Sequence, residues 1–140
     1  MNGAWFEAME EDARNRPEIY RRLGFADLRL AVEETNGTER RQFGLVLDGY
    51  DALYAGELDD VEAFQADATV TGSRETWDDM IANVCTNGGA DGAHTLNALS
   101  IAEAPLRVVS GDPIGRDKFY RFAETLQTLF DALSDAELRV

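Results

Sequence analysis

Apolar and polar positions change period along the chain, and each change marks an element. Between Trp5 and Leu23 the residues Trp5, Phe6, Met9, Ala13, Ile19, Tyr20 and Leu23 recur at helical spacing among Glu and Arg, the mark of a one-sided helix. Pro17 interrupts the run, so the pattern predicts either two short helices or one that restarts with Pro17 in its first turn, where a missing N–H is harmless. From Phe25 the period becomes two. Ala26, Leu28, Leu30 and Val32 alternate with Asp27, Arg29 and Glu33, as in a half-buried strand. Asn36-Gly37 predicts a tight primed turn with positive φ at both central residues. The returning strand spans Arg41 to Asp48 with Phe43, Leu45 and Leu47 on one face, and Asp48-Gly49 predicts a second turn before a third strand carrying Tyr50, Ala52 and Tyr54.

A short helical turn is expected around Asp59 to Phe64, and a β-branched strand over Ala66 to Thr71. Gly72-Ser73 ends that strand, and Ser73 is the expected N-cap of a short amphipathic helix with Trp77, Met80, Ile81 and Val84. Asn87 to Gly92 reads as a hinge or mobile cover, followed by a helix from His94 to about Ala102 that stops before Pro105. Leu106 to Ser110 is a fifth strand. Through Gly111-Asp112-Pro113 it feeds one long helix ending near Ser134, with Phe119, Phe122, Leu126, Leu129, Phe130 and Leu133 on a single face. This order predicts an α+β protein, helices packed on a five-stranded sheet. The 140 residues suit one domain, with a helical segment over 1–24 and a core of sheet and helices over 25–134.

Composition agrees with a folded chain: 44% of residues are hydrophobic and 9% aromatic, whereas acidic disordered tails are poor in aromatics. Charge narrows the partners. Thirteen basic residues against 27 acidic ones give a net −14, which argues against nucleic acid and anionic membrane surfaces, both of which recruit basic patches. The acidity reads most simply as solubility. The start has no basic segment followed by an apolar run, and no apolar stretch approaches the length of a bilayer span, so a cytoplasmic protein without stable membrane insertion is expected.

Chemistry-bearing residues are few. Cys85 is the one cysteine, so an internal disulfide is impossible and the residue reads as a small hydrophobe. His94 has only Asp91 near it in sequence, whereas zinc takes three or four protein ligands; neither a metal nor a cofactor is expected, and His94 reads as a surface residue. The Gly-rich loop has an Asp where a phosphate would sit and no following Lys, and no Gly-x-Ser-x-Gly elbow occurs. The best enzymatic alternative is an isomerase or cyclase working on a steroid-like or polyketide ring. It would use Asp48 as base with Tyr50 or Tyr54 as oxyanion donor in an apolar cavity, although Asp before Gly is also ordinary turn chemistry. A third class is an acidic interaction domain, with Trp5 and Phe6 either anchoring a homodimer or partner enzyme or only covering the sheet.

Three ordered segments carry a resemblance. Phe43-Gly44-Leu45-Val46-Leu47-Asp48-Gly49 lies in the paired strands. Ala66-Asp67-Ala68-Thr69-Val70-Thr71-Gly72 precedes the helix with Trp77, and Leu106-Arg107-Val108-Val109-Ser110-Gly111-Asp112 precedes the aromatic-rich last helix. In this order, from Phe25 to Leu133, the chain resembles the sterol carrier protein 2 (SCP2-like) lipid-binding domains. The resemblance implies a mixed five-stranded sheet covered on one side by helices, with an apolar tunnel between the layers for a fatty acid, acyl-CoA, sterol or similar lipid. It implies non-enzymatic binding or carriage. Phe119 and Phe122, near the start of the last helix, are the expected residues of the tunnel mouth. Leu126, Trp77, Met80, Ile81, Phe43 and Leu45 are expected to line it, with Trp77, Met80 and Ile81 reading equally well as core, and Leu129, Phe130 and Leu133 are expected to be plain core. Two departures stand out. The chain ends in Glu137-Leu138-Arg139-Val140 instead of a Ser-Lys-Leu type of address, so a peroxisomal location is not implied. It is also strongly acidic where carriers of this kind are often basic.

Overall fold

The computed structural model describes residues 1–135, with side chains except at Leu53 and Asp135; the C-terminal Glu137-Leu138-Arg139-Val140 falls outside them. Two helices, α1 (Gly3–Asn15) and α2 (Pro17–Leu23), open the chain, with Pro17 at the first position of α2. A meander follows in β1 (Ala26–Asn36), β2 (Glu39–Gly49) and β3 (Asp51–Glu57). Next come α3 (Val61–Phe64), β4 (Ala68–Ser73), α4 (Arg74–Asn87), α5 (Leu96–Ser100), β5 (Arg107–Val109), α6 (Pro113–Arg121) and α7 (Ala123–Asp131), with a final 3₁₀ turn over Ala132–Asp135.

The five strands form one sheet in the order β3-β2-β1-β4-β5. β1 is antiparallel to β2 and parallel to β4, and the other pairs are antiparallel, so the sheet is mixed. Its register stacks the alternation read in the sequence. Val32 faces Phe43 and Val70, Leu30 faces Leu45 and Ala68, and Leu28 faces Leu47. These side chains are buried under the helices, where Phe6 stacks on Phe43 at 4.6 Å and Trp77 on Phe130 at 5.9 Å. Each large apolar side chain fully withdrawn from water contributes about 1.5–3 kcal/mol, so this layer dominates stability. Trp5 and Phe6 are part of it, which decides between their two readings: they cover the sheet and are not exposed anchors.

The opposite face is polar and only partly roofed. Leu58 and Phe64 lie over Gly44, where a Cβ would strike both. The Arg29 guanidinium sits over the Phe64 ring at 4.6 Å and donates to the Phe64 carbonyl. Four residues further along β1 the buried Glu33 carboxylate accepts from Gln42 at 2.6 Å and Thr71 at 2.8 Å. Both bonds keep a charge tolerable away from water.

Both hairpin turns lie one residue later than the sequence pattern predicts. Asn36 pairs with Glu39 and Asp48 with Asp51, so the central residues are Gly37-Thr38 and Gly49-Tyr50. Positive φ is needed only at the first of each pair, and glycine supplies it at 65° and 71°; this is the type II′ requirement. The long last helix is also two helices. Phe122 leaves helical geometry at φ −104°, ψ 16°. α6 packs on β1, β4 and β5, whereas α7 packs on α1, α2, α4 and α5. One straight helix cannot bury Phe119 against the sheet and Leu126, Leu129 and Phe130 against the helices. Tertiary packing therefore overrides an unbroken helical sequence. The helix expected over His94 to Ala102 is the shorter α5, capped by Thr95, and Ser73 caps α4 as expected, accepting from the Thr76 N–H.

Candidate functional site

Where the first two helices meet the end of the meander, small residues face one another and leave a hollow. α1 contributes Ala13, β1 Ala26 and β3 Ala52, while Gly24 and Gly49 lie at the joints. Leu47 and Leu129 close it from the sheet and from α7. Methyl groups and bare backbone cannot fill the gap between a helix and a twisted sheet. The hollow measures about 260 Å³ out to its open mouth and narrows inside to about the width of one water molecule. It is a narrow apolar cleft.

One wall is Tyr20. Its hydroxyl donates to Asp12 Oδ2 at 2.6 Å, and Asp12 is held in turn by Arg16 through Nε at 2.6 Å and Nη2 at 2.8 Å. Burial first, and then the Asp12 carboxylate, push the phenol pKa well above its usual value. The ring therefore stays neutral and ties α2 to α1. The rim is formed by Tyr50, 48% exposed, and the exposed Asp51. Phe25, 63% exposed, meets Tyr50 edge-on at 6.3 Å. Deeper in, Thr125 also lines the cleft and is only 8% exposed.

Of the residues expected to line a tunnel, Phe43, Leu45, Trp77, Met80, Phe119 and Leu126 are completely buried and Ile81 nearly so, while Phe122 is partly buried at the α6–α7 break. The fold brings all eight into or against one packed cluster, and none of them lines the cleft. The pattern of large apolar residues did not point to Tyr20, Ala52 or Thr125 as a site. Their signal was weak: a tyrosine on a helical stripe passes for core, and an alanine and a threonine at strand and helix positions pass for filler.

The residues of the isomerase alternative are not assembled. Asp48 is exposed beside the β2–β3 turn, Tyr50 lies on the cleft rim, and Tyr54 sits by Phe64 at 6.3 Å with its hydroxyl donating to the Glu57 carbonyl. No base and oxyanion donor share an apolar cavity among them. The Gly-rich loop is tied down. Asp131 accepts from the Ala90 N–H at 3.0 Å, and Asn83 accepts from the Asp91 N–H at 2.9 Å, and no residue of the loop lines the cleft. His94 lies 2.6 Å from Asp91, and with Asn83 it lowers the Asp91 pKa to about 2. Cys85 is half-buried, its Sγ 3.8 Å from the Leu133 carbonyl. Among the described residues no group of three His, Cys, Asp or Glu could hold a metal, and no helix is long and apolar enough to cross a membrane.

No family model and no curated protein matches the sequence. Solved structures do match the fold. A crystal structure of sterol carrier protein 2 superposes with TM-score 0.64 and 16% identity, covering 96% of each chain. A conserved hypothetical protein and sterol carrier candidate from Thermus thermophilus gives 0.63 and 16%, covering 94% of this chain and 85% of the other. Sterol carrier protein 2 from Yarrowia lipolytica, in its apo form, gives 0.52 and 14%, with 94% and 90% covered. Identities this low speak to architecture, and the architecture agrees over nearly the whole length: this chain has the sterol carrier protein 2 fold.

Proposed function

We propose that the protein binds or carries a lipid-like apolar small molecule without chemically changing it, and that the molecule enters through the cleft between α2, α7 and the end of the meander. The observation that carries this reading is the cleft itself, an apolar gap between sheet and helices that opens to solvent beside two exposed aromatics. Its location on a fold shared with proteins named sterol carriers supports the reading. At its present width the cleft admits only the end of a chain, so a ligand must part α7 from the sheet. The eight core residues then become the inner wall. Leu126 lies one turn from Leu129, and Leu45 two residues from Leu47 on the same face, so a chain passing the cleft next meets these two, and Phe119 and Trp77 beyond. Apolar contact at about 25 cal/mol per Å² supplies the affinity.

Filling the gap tests this. Ala52→Trp places an indole where a methyl now faces the cleft, and uptake of a fluorescent fatty acid or sterol analogue is expected to fall at least about tenfold while the far-ultraviolet spectrum is retained. Native mass spectrometry of freshly purified protein supplies the second readout, an apolar adduct in the parent chain and none in the variant. Undiminished uptake by a folded Ala52→Trp protein defeats the assignment of the cleft.

A further inference from the structure

The sheet face turned away from the core carries a second hollow. Val46 pairs with Arg29 on β1 and with Tyr54 on β3, so the three side chains stand in a row across the sheet. Phe64, at the end of α3, closes the row, and these four residues line a groove of about 300 Å³, at the lower end of the range for small-molecule sites. The Tyr54 and Phe64 rings meet at 47° with centroids 6.3 Å apart, which makes an apolar corner beside Val46. A flat ring seated there stacks on one wall and meets the other edge-on, the two arrangements that aromatic pairs favour.

Arg29 is the charged group of this groove, and its charge is unanswered. Its Nε and Nη2 both donate to the single Phe64 carbonyl, at 2.9 and 2.7 Å, and Nη1 has no hydrogen-bond partner among the described residues. The Asp67 carboxylate turns to the Arg29 backbone N–H instead, at 2.8 Å, and also lies 3.7 Å from Lys118; Asp27, two residues back along β1, is 3.4 Å from the same lysine. Of the basic side chains without an ion pair among the described residues, Arg29 is the one that is partly buried. In a chain with 27 acidic residues, this guanidinium still has one end of its fork open, the arrangement that receives a carboxylate.

We propose that the groove is a second binding site, independent of the cleft, for a small planar aromatic carboxylate. The ring lies in the corner of Tyr54 and Phe64, and the carboxylate accepts from the open end of Arg29. A long flexible chain is poorly served, because a groove of this size leaves most of its length in water.

The test uses the full chain at neutral pH and three probes, 2-naphthoate, its neutral counterpart 2-naphthalenemethanol, and decanoate, followed through the amide resonances of Val46, Tyr54 and Phe64. Naphthoate is expected to bind at least about fivefold more tightly than either of the others, the effect of one charge-assisted hydrogen bond or of the lost ring contacts. Arg29→Gln keeps a donor for the Phe64 carbonyl and drops the charge, and is expected to abolish the preference for naphthoate over the alcohol. Tyr54→Ala, at an exposed position, keeps the charge and removes a wall, and is expected to weaken both ring compounds severalfold. Equal binding of naphthoate and the alcohol, or a preference that survives Arg29→Gln, overturns Arg29 as the anchor. Decanoate binding as tightly as naphthoate, or indifference to Tyr54→Ala, overturns the aromatic class. Failure of all three probes to shift those resonances at millimolar concentration overturns the site, and leaves the cleft on the other face untouched.

Discussion

Asp91 illustrates how much a single carboxylate organises without burial. It receives the backbone N–H groups of Ala93 and His94 at 3.0 Å each, the Asn83 side chain at 2.9 Å and the His94 ring at 2.6 Å. The His94 ring most, then the Asn83 side chain and the Ala93 N–H, favour its charged form and lower its pKa from 3.8 to about 2. A carboxylate whose folded pKa lies below its unfolded one stabilises the fold above the unfolded value and loses that contribution as pH falls through the folded one. The window is therefore about pH 4 down to about pH 2. Carboxyl NMR titration is expected to place the Asp91 midpoint near 2, and His94→Ala to move it up toward 3.8. An unmoved midpoint in that variant assigns the shift to Asn83 and the backbone instead.

At the start of α6 a helix and the sheet meet tightly at a glycine. Asp112 caps the helix through the Gly115 N–H at 3.0 Å, and a Cβ on Gly115 would run into the Asp67 carbonyl and the Ser110 side chain. Gly→Ala inside a helix normally gains up to about 1 kcal/mol. Here it must push α6 off the backbone leading into β4, an overpacking cost of roughly 1–3 kcal/mol or more. Gly115→Ala is expected to lower the melting temperature, and an unchanged or raised one contradicts the packing. The same contrast between local pattern and tertiary contact explains what the sequence made legible. The alternation of Leu28, Leu30 and Val32 with charges, and the glycines of the two hairpins, are local signals, and the strands lie where they predict. The break at Phe122 has no Gly or Pro to announce it, because it arises from two different sets of neighbours. The cleft was hidden for a related reason. Phe119, Trp77 and Met80 are large enough to fill the space around them, whereas the cleft is left where Ala13, Ala26 and Ala52 meet.

Across the whole molecule the surplus of 27 acidic over 13 basic residues sets a self-repelling field. The exposed ion pairs do little to offset it. Arg41–Glu57, Arg121–Asp117 and Lys118–Asp27 are exposed on one or both sides, and such pairs contribute about 1 kcal/mol at most. Screening is therefore expected to raise the melting temperature as salt increases from a few millimolar to about 0.2 M, where the Debye length drops below about 8 Å. Equal rises with sodium and potassium chloride identify screening, and a fall with added salt contradicts it. The sheet has a further consequence for how the protein keeps its own company. β5 is three residues long, and β3 is bulged opposite Val46 and Leu47 with Asp51 and Glu57 at its ends. Neither border offers the long, flat, uncharged row of free amides and carbonyls on which another strand can add, so the sheet is guarded against edge-to-edge aggregation on both sides.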